Sequence, residues 1–394
     1  MLGLAGLAFA ACGNEDDPGS DVNNGNQTVR ITLSRGTMGT RAVEGTAVGG
    51  YNTIRSLSIC FYSADDQIVY RKDLDATADK EFFDGVNSND IPVHQEPYTI
   101  SNVPGNAKRI YIIANEPTTK INTQSWDDVK GSTVKLEEMI TKRDGDTFSG
   151  QSAVLTGYKE NINENSVTTD GVTTVSVDVK LIPVSSRFEI DGFVCNNAPT
   201  DYTGSEVSSF VVTGVYMNNF YPTGSLDPDL DNDNRSQISA ENKEEFTATS
   251  NEYKNYTFML DENKGDNGYQ GLAGYQGVAE TGAIWKYTRS DNQILGYPLL
   301  QGDIPHIVIR MNVIFEGDSD SHERFLTIQK FKVDPASSGI TWDGQINRGY
   351  AYKITNLAFD PSNLEEIPYE GKKSVVATIS VSPWTGVPLQ PDFN

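Results

Sequence analysis

Polar and apolar residues alternate with period two in segment after segment of this chain. Thr28-Val29-Arg30-Ile31-Thr32-Leu33 puts Val29, Ile31 and Leu33 on one face, and Ile54-Arg55-Ser56-Leu57-Ser58-Ile59-Cys60-Phe61 repeats the pattern. Each predicts a β-strand. Asp65-Asp66 supplies a turn into Ile68-Val69-Tyr70, the expected hairpin partner. Tyr98-Thr99-Ile100 leads to a turn at Val103-Pro104-Gly105. The unbroken apolar run inside Arg109–Asn115 then reads as a buried strand. Val172–Ile182 alternates through Val175, Val177, Val179 and Leu181, and Pro183 closes it. Helical periodicity is scarce, and Val129–Met139 is one of the few stretches that predict a helix, a short one.

A second cycle begins at Arg187–Phe193 and continues with Phe210–Tyr216. The stretch 221–285 is rich in Asn, Asp, Gly and Glu and reads as long loops. Ile307–Phe315 and Phe325–Val333 predict a hairpin, followed by strands at Tyr350–Ile354 and Val375–Val381. Many short strands separated by turn signals argue for β-sandwiches over a parallel α/β sheet, with a domain boundary near residue 183. No repeat of 20–50 residues is present, which argues against a solenoid.

Composition narrows the function. The 394 residues carry 31 Lys+Arg against 54 Asp+Glu, a net charge of −23, which repels nucleic-acid backbones and anionic membrane surfaces. Three His (His94, His306, His322) stand far apart, and three Cys (Cys12, Cys60, Cys195) are too few for a disulfide framework. Cys60 and Cys195 each fall in an apolar strand pattern, where buried thiols are expected; the alternative is a disulfide between the two domains. No G-x-S-x-G elbow is present, and no other motif calls for a catalytic residue, a metal or a cofactor. Asp227-Pro-Asp229-Leu-Asp231-Asn-Asp233-Asn234 has the alternation of a calcium loop. Counted from Asp227, however, position six is not Gly and position twelve is Ile238, so a solvated acidic loop is the expectation. Trp126, Trp285 and Trp342 read as core or loop anchors, with a sugar site on the 221–285 loops as the competing reading.

The N-terminus reads as an address. Met1–Ala11 is short and apolar, and Phe9-Ala10-Ala11 runs directly into Cys12, the arrangement of a lipoprotein signal whose Cys takes the lipid. Glu15-Asp16-Asp17 and the polar, Gly/Asn-rich segment to Gln27 then form a tether.

Taken in order, several marks resemble the FimA-type fimbrillins, pilus subunits of Bacteroidales. They are Cys12 with its tether, the strand Thr28–Leu33, the pair Arg41-Ala42 in a loop, and Tyr111-Ile112-Ile113-Ala114-Asn115. Val179–Ile190 is similar to the family's crossing between domains, and Ile346–Ile354 to the motif before its last strands. The ending Val381-Ser382-Pro383-Trp384-Thr385-Gly386-Val387 is similar to the family's, built around one Trp.

The resemblance implies an all-β protein of two transthyretin-like β-sandwich domains in tandem, with short helices and long loops. Residues 1–12 would be signal and lipobox, 13–41 tether and removable strand, 42–183 the first sandwich and 184–394 the second. It further implies a lipidated cell-surface precursor, held to the outer membrane only by its lipid and cut by an Arg-specific protease after Arg41, with Arg35 as a second candidate. The cut frees Ala42 and removes the strand bearing Val29, Ile31 and Leu33. The C-terminal segment of another subunit, with Trp384, Val387, Leu389 and Phe393, would take its place. Pro383, Pro388 and Pro391 depart from a good donor strand, because proline cannot donate to a ladder. Expected partners are therefore other fimbrial subunits and the protease. The alternative is a non-polymerising surface lipoprotein, or a tip or accessory adhesin, binding a host glycan or protein through its loops.

Overall fold

The computed structural model describes residues 25–35, 54–79, 97–117, 120–138, 142–144, 147–149, 153–196, 203–227, 237, 239, 275–280, 284–289, 295–334, 344–369 and 375–383. Eleven strands form in the first half: β1 (Asn26–Arg35), β2 (Ser56–Tyr62), β3 (Ile68–Asp75), β4 (Tyr98–Pro104), β5 (Arg109–Ala114), β6 (Thr133–Lys135), β7 (Lys142–Asp144), β8 (Thr147–Ser149), β9 (Leu155–Lys159), β10 (Ser166–Thr169) and β11 (Val172–Pro183). Twelve follow: β12 (Ser185–Asn196), β13 (Val207–Asn218), β14 (Thr223–Ser225), β15 (Tyr275–Glu280), β16 (Ile284–Arg289), β17 (Leu295–Leu300), β18 (Gly302–Asp303), β19 (His306–Phe315), β20 (His322–Val333), β21 (Gln345–Ile346), β22 (Tyr350–Phe359) and β23 (Val375–Pro383). The fold is thus all-β, two sandwiches in tandem. β14, β15 and the start of β16 lie in the stretch that its polar composition marked as loop.

In the first sandwich the alternation in β11 decides the layering. Val175, Val177, Val179 and Leu181 are buried while Ser176, Asp178 and Lys180 face outward. The strand pairs with β10 through its first residues and with β1 over 173–181, then crosses to β9 with Ile182 and Pro183. One layer is therefore β10–β11–β1–β4 and the other β3–β2–β5–β9. At the crossing a Cβ on Gly157 would stand 2.3 Å from the Lys180 carbonyl oxygen, so only glycine fits there.

The core between the layers sets Val29, Ile31, Ile100 and the β11 valines against Leu57, Ile59, Phe61, Ile110 and Ile112. β2 and β5 are buried on their other face as well. There Cys60, Tyr62, Tyr111 and Ile113 join Trp126 and Val129 and run on into the core of the second sandwich. That double burial is why Arg109–Ala114 lacks a polar face.

β12 follows β11 after Val184 alone. It lies parallel to β22 on one side and antiparallel to β17 and then β16 on the other. β13, β19 and β20 make the facing layer, the last two being the expected hairpin. β23 links the layers, parallel to β20 over Val375–Ile379 and antiparallel to β22 over Ser380–Pro383.

The helix expected over Val129–Met139 is instead α1 (Trp126–Gly131). Ser125 caps it, its hydroxyl accepting from the Asp128 N–H at 3.0 Å, and Asp127 and Asp128 favour its first turn. Thr133 and Val134 then leave the helix because they are needed as β6, which pairs antiparallel with β14 of the second half. Propensity yields here to a tertiary ladder.

The two halves are pinned further by polar groups. Lys130 of α1 pairs with the buried Asp227 at 2.9 Å, its ammonium also 5.4 Å from the Tyr158 ring centre. Arg348, between β21 and β22, sends its guanidinium into the junction. It donates to the carbonyls of Leu226 (2.7 Å), Ile182 (3.2 Å) and Pro183 (3.2 Å) and to Thr156 Oγ1 (2.6 Å). The next residue, Gly349, turns at φ 74° against Ile182, where a Cβ would lie 3.0 Å from that side chain.

Candidate functional site

The site the sequence singles out is β1 and the slot it fills. Nine consecutive positions, Gln27–Arg35, pair in parallel with Thr173–Leu181. On the opposite edge, Asn26–Ile31 pair antiparallel with Tyr98–Pro104. Ser101 and Asn102 together oppose Thr28, a bulge on β4 made possible by the left-handed backbone of Asn102 (φ 64°). β1 is thus an interior strand of its layer, although it precedes every other described strand.

Its side chains follow the alternation. Val29 and Ile31 are fully buried in the first core, while Arg30 and Thr32 face solvent. Leu33 packs against the same core and is half-buried: the ladder with β4 ends at Ile31–Tyr98, so no β4 residue covers it. Gln27 is buried too, and its carboxamide donates to the Pro104 carbonyl at 3.3 Å. Burying the Val and Ile side chains contributes roughly 1.5–3 kcal/mol each. The ladder bonds on two edges add about 1 kcal/mol net apiece. The strand is therefore worth on the order of 10 kcal/mol to the sandwich before the entropy of holding it is subtracted.

The other singled-out residues divide as follows. Cys12, Arg41 and Ala42 lie outside the described residues, as do Trp384, Val387, Leu389 and Phe393; β23 ends one residue before Trp384. Arg35, the second candidate for cleavage, is the last residue of β1 and is paired with Leu181. Asp227, the first carboxylate of the acidic loop, is committed to Lys130 at the junction of the halves; residues 228–236 are not described. Cys60 and Cys195 are buried and form no disulfide. Burial pushes the Cys60 thiol up to about 11 and the Cys195 thiol to about 12. Trp126 is a core anchor, edge-on to Tyr62, Tyr111 and Tyr158.

Two contributors escape a reading of spacing alone. Gln27 looks like tether, yet it closes the start of the slot. Arg348 stands inside a quoted motif, but nothing in that motif says that its partners are main-chain carbonyls of the other sandwich.

Comparison with known proteins bears on this geometry. The family model described as major fimbrial subunit protein (FimA) matches residues 27–182, from the start of β1 to the end of β11. No curated protein matches the chain. Among solved structures, a fimbrilin from Porphyromonas gingivalis W83 aligns at 14% identity over 92% of this chain and 99% of its own, with a TM-score of 0.49. A protein assigned to cell adhesion from Parabacteroides distasonis ATCC 8503 aligns at 14% over 91% and 100%, TM-score 0.48. The tip fimbrial protein of Porphyromonas gingivalis, truncated at its C-terminus, aligns at 9% over 91% and 100%, TM-score 0.39. Residues 27–182, which build the first sandwich and include β1, are thus the part of the chain similar to the FimA major fimbrial subunit family.

Proposed function

We propose that this chain is a structural subunit of a bacterial cell-surface fimbria, exported as a lipoprotein through Cys12 and assembled by strand exchange. An Arg-specific protease cuts after Arg41, freeing Ala42, and β1 leaves. The C-terminal segment Trp384–Asn394 of a second copy then fills the vacated slot, with Val387, Leu389 and Phe393 as its apolar anchors. Such head-to-tail contacts propagate into a filament instead of closing a dimer.

The observation that carries this reading is the position of β1. It is an interior strand, bonded on both edges and buried through Val29 and Ile31, yet among the described strands it is the first in the chain. A cut in the segment between residues 35 and 54 therefore separates a whole strand from an otherwise continuous domain. What remains exposes ladder groups and apolar surface that an extended chain of similar pattern satisfies.

The prolines of the tail favour a second reading on one point. Pro388 and Pro391 bring no N–H to a ladder, so this subunit would accept a strand better than it donates one. It would then sit at an end of the fimbria, as a tip, anchor or accessory subunit.

Limited digestion of the unlipidated chain with an Arg-specific protease tests both. An N-terminus at Ala42, a heat-sensitive ladder on denaturing gels and filaments by electron microscopy are expected of a polymerising subunit. Cleavage at the same place with a monomeric product selects the end-of-fimbria reading. Resistance between Arg35 and Ala42 overturns the processing step and leaves a surface lipoprotein that does not polymerise.

A further inference from the structure

The two walls of the β1 slot are not alike. β11 is fixed by groups that stay when β1 goes: the β10 ladder at residues 172–175, the β9 ladder at Ile182 and Pro183, and the Arg348 guanidinium on the carbonyls of those last two residues. β4 is different. It ends its layer, and among the described strands its ladder is made with β1. The turn that follows is also tied to the segment that leaves. The Gly105 N–H donates to the Gly25 carbonyl at 2.8 Å, and Gln27 donates to the Pro104 carbonyl. β4 otherwise rests on the facing layer by side-chain packing, through Ile100 and Val103. Among the described residues, main-chain hydrogen bonds to partners other than β1 resume at Ala107, which is buried and whose carbonyl accepts from Asn163. They continue at Lys108, whose N–H donates to the Tyr62 carbonyl at 2.7 Å.

We infer that the acceptor surface has one fixed edge, β11, and one flap, β4, hinged at Gly105-Asn106. The partner strand docks along β11 first, and β4 closes over it second. The inference deepens the strand-exchange reading and rests on it for the identity of the partner, an extended segment of a second copy. Its chemistry is set by the slot: aliphatic side chains at alternate positions where Val29 and Ile31 stand, polar ones between, running parallel to β11. A slot with a movable wall admits a strand from the side, so a donor need not be threaded between two closed edges. Ile100 and Val103 reach the core only when the flap is shut, which makes closure the step that locks the partner in.

Amide hydrogen exchange read residue by residue tests this in single subunits. In the uncut chain, Ile31→Ala weakens β1 without removing it. Exchange is expected to accelerate in 98–104 together with 27–31, by about a hundredfold, while β5 and β9 keep their rates. Unchanged exchange in β4, or equal acceleration in β5 and β9, overturns the flap. A second measurement uses a chain cut at a protease site introduced between residues 36 and 53 and freed of β1. β4 is expected to exchange like unstructured chain, with β9 and Ile182 still protected. A synthetic peptide of residues 26–35 should restore β4. Persistent protection of β4 after release, or loss of protection throughout the sandwich, refutes the arrangement. Because this readout needs no polymer, a failure to form filaments would count against the fimbrial reading and leave the flap standing.

Discussion

Replacing Arg348 with Met should uncouple the two sandwiches. The side chain is buried at the junction and donates to four acceptors: Thr156 Oγ1, and the carbonyls of Ile182, Pro183 and Leu226. Met keeps most of the stem's volume and removes every donor. A hydrogen bond from a charged group is worth about 1.5–3 kcal/mol, so four give at most about 6–12 kcal/mol. Against this stands the desolvation of the guanidinium, several kcal/mol, which the variant no longer suffers. The Leu226 carbonyl also retains donors in Tyr111 and Thr156, each at 3.4 Å. The net destabilisation is therefore expected at about 3–5 kcal/mol.

The form of the loss matters as much as its size. Three of the four acceptors belong to β9 and β11, and the fourth follows β14, so Arg348 joins elements on both sides of the chain's midpoint. Urea unfolding followed by exchange at β5 and at β19 should give coincident transitions for the parent and separated ones for Arg348→Met. Arg348→Lys places one ammonium among acceptors spread around a planar fork and should recover less than half of the loss. A cost below about 1 kcal/mol, or full rescue by Lys, would refute the clamp.

Three further outcomes are expected. Gly157→Ala drives a Cβ to 2.3 Å from the Lys180 carbonyl oxygen and should cost more than about 2 kcal/mol by thermal or urea denaturation; a neutral effect would mean that the β9–β11 crossing can spread. Cys60 and Cys195, buried and with their thiols raised by burial, should resist iodoacetamide at pH 8 in the folded chain and react fully in urea, as mass spectrometry would read; rapid labelling of the native protein would contradict the packing. His306 should make the fold acid-sensitive. The Asn219 side-chain nitrogen, which can only donate, lies 3.0 Å from its Nδ1, and burial holds the imidazole below its ordinary 6.5. The unfolded chain then takes up the proton more readily, so this contribution is complete above about 6.5 and is lost as pH falls through the lower folded value. His306→Gln should flatten the slope of stability between pH 7 and 5 relative to the parent, and an unchanged slope would refute the assignment.

What was legible in the sequence follows from which forces are local. β1 and β11 stand out because one face of each is buried, and period two records that directly in Val29 and Ile31 and in Val175, Val177 and Val179. β5 is legible as a buried run, but not why: its second face packs on Trp126 and the far sandwich, a fact of tertiary assembly. Val129–Met139 carries helical period, yet Thr133 and Val134 are claimed by a ladder with β14 some ninety residues away. Arg348 is the clearest miss. The acceptors that tie it to the other sandwich include two backbone carbonyls and one hydroxyl, groups that leave no pattern in a sequence. Leu33 shows the same limit on a smaller scale: alternation assigns its face, but only the length of β4 decides how deeply it is covered.

The parallel placement of β1 on β11 recurs in the second sandwich, where β12 lies parallel to β22 and antiparallel to β17 and β16. Each domain therefore opens with a strand seated beside a late one. The consequences differ because of connectivity. β12 is joined to β11 through Val184 alone, and the Val184 N–H is itself bonded to the Val154 carbonyl at 2.8 Å. Cutting there would break the link that Arg348 and the shared core are built around, and β12 would still be held by three neighbours. β1 is followed instead by eighteen residues, 36–53, before the next described segment begins. On the strand-exchange reading proposed above, a cut in 36–53 would free β1, whereas the one-residue link before β12 offers no such cut. One acceptor and one C-terminal donor per subunit is the condition for an unbranched filament, and the proposed exchange would meet it with β1 as the single strand released.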